Sequence, residues 1–121
     1  MEKKKTLVLG ASENPARYGN IAIHHLMRYG HPIVAVGKRA GEVEGVRIET
    51  EPPFVEDIDT ITLYLNPTNQ QPYYDYILSL KPKRIIFNPG TENAELASMA
   101  RASGIQPVQA CTLVMLGTGQ Y

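Results

Sequence analysis

At 121 residues the chain is long enough to bury one core and too short to add a separate substrate domain. Twelve basic and twelve acidic residues cancel, and the longest cation run is Lys3-Lys4-Lys5, so the broad electrostatic footprint of a nucleic-acid or membrane-surface binder is absent. The lone cysteine, Cys111, excludes an internal disulfide framework and a cysteine-cluster metal site; with no signal peptide or membrane-length apolar run, the expected compartment is the cytoplasm.

The first element is a short apolar strand, Leu7-Val8-Leu9, bounded by Lys5 and Gly10 as a strand buried on both faces would be. A helix follows from about Gly19 to Tyr29. Ile23, Leu26, Met27 and Gly30 keep its helical spacing, and Gly30 suits the closing position. Ile33-Val34-Ala35-Val36 is the second strand. Between Gly41 and Glu56, glycines and prolines interrupt the pattern, leaving only Val46-Arg47-Ile48 as a short extended piece and no crossover helix.

The third strand is Thr60 to Leu65, β-branched and apolar, ended by Asn66-Pro67-Thr68. The next helix accepts Pro72 in its first turn, carries Tyr73, Tyr76, Ile77 and Leu80 on one face, and stops before Pro82. Arg84 to Phe87 is the fourth strand, with Asn88-Pro89-Gly90 as its terminal turn. Thr91 is the expected cap of a helix that stops at Gly104, and the fifth strand runs from about Gln106 to Gln109. The apolar stretch Leu113-Val114-Met115-Leu116 is expected to dock either on its own domain or on a second copy, as a homodimer contact.

This alternation predicts a single α/β domain over residues 1–121. The expected fold is Rossmann-like and three-layered: a doubly wound, five-stranded parallel sheet in strand order 3-2-1-4-5. Ligands of such sheets bind beyond the carboxyl ends of the strands, where the strand order reverses. That rule selects the segments Gly10 to Arg17, Gly37 to Arg39, Asn66 to Thr68 and Asn88 to Thr91.

Gly10 and Ser12 stand where backbone approaches a pyrophosphate, the following helix offers unpaired N–H groups, and Arg17 adds a fork of donors. The spacing departs from G-x-G-x-x-G, with Ser12 in place of the second glycine and Gly19 later than the third. After the second strand comes Gly37-Lys38-Arg39, where a NAD site would place an acidic residue to hold the ribose hydroxyls. Two cations there point to an extra ribose phosphate. Asn66, Pro67, Pro89 and Gly90 share the same rim and offer apolar contact and orienting bonds to an adenine or an extended arm.

A catalytic constellation is not legible. His31, Asp57 and Asp59 precede their strands and fall at the opposite end of the sheet, and His24 and His25 lie within a helix. Glu13 has no base, nucleophile and orienter around it, and the histidines lack metal-ligand spacing. Cys111 follows the fifth strand and reads either as an inert buried thiol or as a contact to a thiol-bearing ligand.

Gly10-Ala11-Ser12-Glu13-Asn14-Pro15-Ala16-Arg17, Lys38, Asn66-Pro67, Pro89-Gly90 and Cys111, in that order along nearly the whole chain, resemble the small stand-alone CoA-binding domain proteins. That family is similar to the amino-terminal domain of the succinyl-CoA synthetase alpha subunit. The resemblance implies coenzyme A or an acyl-CoA as cofactor, held by its nucleotide half. Gly10, Ser12 and Arg17 would then meet the phosphates, Lys38 the phosphorylated ribose, and Asn66, Pro67 and Gly90 would line the rest, with Ala11, Asn14, Pro15, Gly37 and Pro89 completing the implied cofactor-binding set.

The resemblance supplies no catalytic residue and no metal. Val36-Gly37 replaces the Asn-Pro usual before the lysine, and Gln109-Ala110 replaces the Asp-Arg usual before the cysteine. The expected function is a non-catalytic CoA-binding or regulatory module. The competing expectations are a minimal NADP-dependent oxidoreductase and an interaction protein with a vestigial nucleotide site.

Overall fold

The computed structural model describes residues 2–121. Among them, seven strands form a single sheet: β1 (Thr6–Leu9), β2 (Ile33–Val36), β3 (Gly41–Val43), β4 (Val46–Glu49), β5 (Thr60–Leu63), β6 (Arg84–Phe87) and β7 (Gln106–Gln109). Their spatial order is β3-β4-β2-β1-β5-β6-β7. Every neighbouring pair is parallel except β3 with β4. The helices are α1 (Tyr18–Arg28), α2 (Pro67–Gln70), α3 (Tyr74–Ser79), α4 (Ala94–Ala102) and α5 (Thr112–Gly117), with a 3-10 turn over Gln71–Tyr73 between α2 and α3.

The α/β architecture and the five expected strands are present, but the expected strand count and order are not. The segment after β2 is an antiparallel hairpin, not a loop. Glu44 and Gly45 both have positive φ, 48° and 83°, the conformation of a two-residue type I′ turn. Its second strand, β4, pairs parallel with β2 and occupies the place that the expected order 3-2-1-4-5 assigned to the strand at Thr60. β5 therefore lies on the other side of β1, between β1 and β6. With the antiparallel β3 set aside, the parallel strands run 3-2-1-4-5-6 in chain order, and the direction of winding reverses between β1 and β5.

Alternation along the central strands builds a core on each face. Leu7, Leu9, Ile61, Leu63, Ile85 and Phe87 pack with Ile77 of α3 and with Leu96 and Ala100 of α4. Val8, Ala35, Ile48 and Ile86 pack on the other face with Ile23 and Leu26 of α1 and Leu116 of α5. Each fully buried aliphatic side chain contributes about 1.5–3 kcal/mol, so both helical layers are held chiefly by this burial. The apolar tail is used within the same chain: Thr112 and Leu116 are buried, while Val114 stays 60% exposed.

Element boundaries also differ from expectation at three places, one of them the start of α3, which opens at Tyr74 after the 3-10 turn that holds Pro72. The cap of α4 is Asn93, whose Oδ1 accepts from the Leu96 amide, because Thr91 instead turns its hydroxyl back to the Asn88 carbonyl. The strand expected to reach Leu65 ends at Leu63, where Asn66 begins α2 by accepting from the Asn69 amide.

The amino end of the sheet is closed by Tyr121. Its hydroxyl bonds Thr6 Oγ1, its ring lies 4.8 Å from that of His31, and the Arg84 guanidinium stacks 4.4 Å over it. His31 is buried beside it, as far from the strands' carboxyl ends as the sequence placed it. Among the described residues no helix is long and apolar enough to cross a membrane.

Candidate functional site

A cleft of about 930 Å³ opens at the carboxyl ends of the strands. It lies where the winding reverses, the position at which open α/β sheets take their ligands. The loop after β1 forms its floor, the loop after β2 one side, and the loops after β5 and β6 the opposite wall. Of the sequence-predicted residues, Gly10, Ala11, Ser12, Asn14, Arg17, Lys38, Asn66, Pro89 and Gly90 line it together.

The loop after β1 is shaped by its own polar side chains. Ser12 Oγ accepts from the Asn14 amide at 3.0 Å, Asn14 Oδ1 accepts from the Ala16 amide at 3.0 Å, and Asn20 of α1 donates to the Ser12 carbonyl. These Asx- and Ser-type turns fix a loop that has no ladder to join. Gly10 and Gly19 then bring helix and strand together: a Cβ on Gly19 would lie 2.2 Å from the Gly10 carbonyl oxygen, and a Cβ on Gly10 would meet the Tyr64 backbone at 2.9 Å. Gly19 thus performs the close helix-to-strand packing that the third glycine of a dinucleotide fingerprint performs, although its spacing is longer.

No acidic residue occupies the first turn of α1, and its N-cap, Arg17, makes no side-chain cap. The amino end of this 11-residue helix therefore keeps its partial positive charge at the cleft. Arg17, Lys38 and Arg39 add three exposed cations. Glu13, the acidic residue of the loop, is turned to the hairpin, where its Oε2 accepts from the Glu42 amide at 2.9 Å and its carboxyl packs on Gly41. An anion with several phosphates matches this balance of charge.

Three predicted residues lie outside the lining. Gly37 is buried below it: a Cβ there would sit 2.3 Å from the Ala11 carbonyl oxygen. Its bareness lets the second loop pack against the first. Pro15 is exposed in the first loop, and Pro67 is the first residue of α2.

The structure adds Tyr64, Leu65 and Asn69 to the wall and Tyr18, Gly19 and Ala40 around the first two loops, while Glu13, Ala16, Arg39 and Thr91, within the segments the sequence selects, line the cleft as well. Burial pushes the Tyr64 hydroxyl pKa up to about 12, so it stays a neutral phenol. Sequence reasoning misses it because the expected strand runs through Leu65, whereas β5 ends at Leu63 and leaves Tyr64 on the rim. Cys111 is half-buried, stands immediately before α5, and is not part of the lining. His24 bonds Glu44 of the hairpin turn at 2.8 Å, away from the cleft.

Comparison with known proteins gives the family and the fold. The family model described as CoA binding domain matches residues 4–117, and the chain belongs to that family. A solved structure described as an uncharacterized protein is 52% identical over 100% of both chains, with a TM-score of 0.98. A hypothetical protein from Pyrococcus horikoshii OT3 is 24% identical, over 97% of this chain and 84% of that one, with a TM-score of 0.86. Acetyl-coenzyme A synthetase 1 of Ca. Korarchaeum cryptofilum, solved with phosphate and ADP, shares the fold at 17% identity. That match covers 88% of this chain and 26% of that one, with a TM-score of 0.70. No curated protein matches the chain.

Proposed function

We propose that the chain binds coenzyme A or an acyl-CoA in the cleft at the carboxyl ends of its strands, as a binding or regulatory module and not as a catalyst. The observation that carries this reading is the convergence of the first loop, the Lys38-Arg39 tip and the Asn66 and Pro89-Gly90 turns on one cleft, in a chain of the CoA binding domain family. The 3-2-1-4-5-6 run of its parallel strands supports a Rossmann-like nucleotide site at that position.

In this reading Gly10, Ala11 and Ser12 let the pyrophosphate approach the backbone at the start of α1, with Arg17 as a charged donor. Lys38, with Arg39 beside it, meets the phosphorylated ribose. Asn66, Pro89 and Gly90, with Tyr64 and Leu65, line the wall along which the rest of the ligand lies. Asn14 and Pro15 shape the first loop, Gly37 lets the second loop reach it, and Pro67 starts the helix behind Asn66. The proposed compartment is the cytoplasm, where coenzyme A is at hand.

The same cations suit the 2′-phosphate of NADP, which makes a minimal oxidoreductase the second reading. Thermal-shift titration with CoA, acetyl-CoA, 3′-dephospho-CoA and NADPH separates the two. A ligand at 100 times its dissociation constant stabilises the folded chain by about 2.7 kcal/mol. The proposal expects a rise in Tm with CoA and acetyl-CoA that shrinks with 3′-dephospho-CoA; a rise with NADPH and none with CoA overturns it.

A further inference from the structure

Gln70 has a fully buried side chain in a run, Asn69-Gln70-Gln71, that otherwise lies at the surface. Its Nε2 donates to the Leu65 carbonyl and to the Thr91 carbonyl, both at 2.8 Å. Its Oε1 accepts from Asn93 Nδ2 at 2.9 Å. The orientation of the amide is fixed by these partners, since only the NH2 group can serve two carbonyls. Asn93 is oriented in turn, because its own oxygen accepts from the Leu96 amide and its nitrogen also donates to the Tyr74 hydroxyl at 2.8 Å.

The two carbonyls belong to different walls. Leu65 is on the loop after β5 and Thr91 on the loop after β6, and both residues line the cleft. No backbone ladder joins these loops, since the β5–β6 pairing ends at Leu63 and Phe87. We propose that Gln70 is a positioning residue: its amide clamps the loop after β5 to the loop after β6 and so fixes the width of that side of the cleft. Through Asn93 it also ties this width to the start of α4. The clamp stands on the hydrogen bonds alone; its consequence for ligand affinity rests on the coenzyme A reading.

The test compares three variants of the full chain with the parent. Gln70→Glu keeps the shape but sets a carboxylate against two carbonyls, and Gln70→Leu keeps the volume and leaves both carbonyls without a donor. Ile58→Val removes a methyl group from the buried core at the opposite end of β5 and controls for a general loss of stability.

Amide hydrogen exchange is expected to speed up about tenfold at residues 65–70 and 88–93 in both Gln70 variants and not in Ile58→Val, a local opening of the kind exchange resolves. The dissociation constant for CoA is expected to rise about tenfold in the Gln70 variants alone. Exchange that is unchanged, or that rises equally in Ile58→Val, overturns the clamp. Faster exchange with parent-like CoA affinity overturns its role at the cleft. Faster exchange in a chain whose parent does not bind CoA supports the clamp and overturns the coenzyme A reading instead.

Discussion

Gly19, at the second position of α1, touches Gly10, the residue that follows β1, so closely that a Cβ on Gly19 would stand 2.2 Å from the Gly10 carbonyl oxygen. Alanine in a helix interior is favoured over glycine by about 1 kcal/mol, which argues for a stabilising Gly19→Ala change. The contact is backbone against backbone, however, and neither partner can rotate away. Overpacking of this kind costs about 1–3 kcal/mol, so the steric term wins. Gly19→Ala is expected to lower the urea midpoint and to weaken CoA binding together, because relief of the clash moves the amino end of α1 away from the first loop. A midpoint above that of the parent contradicts this.

Gly37 makes a second contact of the same type, with the Ala11 carbonyl oxygen 2.3 Å from where its Cβ would be. Gly37→Ala is expected to destabilise by about 1–3 kcal/mol through the same overpacking. Equilibrium urea unfolding at pH 7 measures it. In sequence this glycine is a departure from the Asn-Pro expected before the lysine; in the fold it is the contact that lets the second loop reach the first.

Lys38 is exposed at the rim, so its charge acts on a ligand through water and is screened by salt. Lys38→Ala is expected to weaken CoA about threefold to tenfold at low ionic strength, the range for a solvent-accessible charge-assisted contact. The loss should shrink in high salt and vanish for 3′-dephospho-CoA. Calorimetric titration of both ligands at two salt concentrations checks this, and equal losses for the two ligands would remove Lys38 from the ribose phosphate.

Much of this fold and cleft was legible in the chain because strands buried on both faces read as short apolar runs and the loops after them carry glycine, asparagine and proline. The place of β4 in the sheet, beside β2 and in a hairpin with β3, was not, although Val46-Arg47-Ile48 reads as a short extended piece. Val46–Glu49 has only Ile48 fully buried, and its partner β3 is a three-residue edge, so neither presents an apolar run. Periodicity cannot register a hairpin whose turn depends on the left-handed Glu44. Gln70 escaped for a related reason: a polar residue among polar neighbours looks solvated, and only the fold reveals that two carbonyls and Asn93 enclose it.

His31 gives the chain a pH dependence at the end of the sheet opposite the cleft. Burial first, and then the positive charges of Lys3, Lys4 and Arg84, hold its pKa below the usual 6.5, while Asp59 opposes them. Its Nδ1 accepts from the Lys4 amide at 2.9 Å, a bond that requires an unprotonated nitrogen. The unfolded chain therefore binds the proton more readily than the folded one. The contribution is fully present above about pH 6.5 and is lost as the pH falls from there toward the lower folded-state value. The difference in Tm between the parent and His31→Gln, followed from pH 8 to pH 5, is expected to move against the parent below pH 6.5. A difference that stays constant across that range contradicts the prediction.

Asn88 lies in the turn that the sequence assigns to the rim, yet its side chain is buried beneath it and joins three elements. Its Nδ2 donates to Thr62 Oγ1 at 2.7 Å and to the Leu63 carbonyl at 2.9 Å, and its Oδ1 accepts from the Thr112 amide at 2.8 Å. The Thr62 and Thr112 hydroxyls bond each other at 2.8 Å, so the amide anchors the start of α5 to β5 and β6 through a closed polar network. Removing one member leaves buried donors and acceptors unpaired, at about 1–3 kcal/mol each. Asn88→Ala is therefore expected to cost at least about 2 kcal/mol in urea unfolding, more than a surface substitution would. Asn88→Asp keeps the Thr112 contact but turns an oxygen toward the Leu63 carbonyl, and should lose stability further as the pH rises and the carboxyl ionises. Loss of α5 docking should appear first as faster hydrogen exchange at residues 112–117, and unchanged exchange there in Asn88→Ala would mean that apolar packing around Leu116 holds the helix without this network.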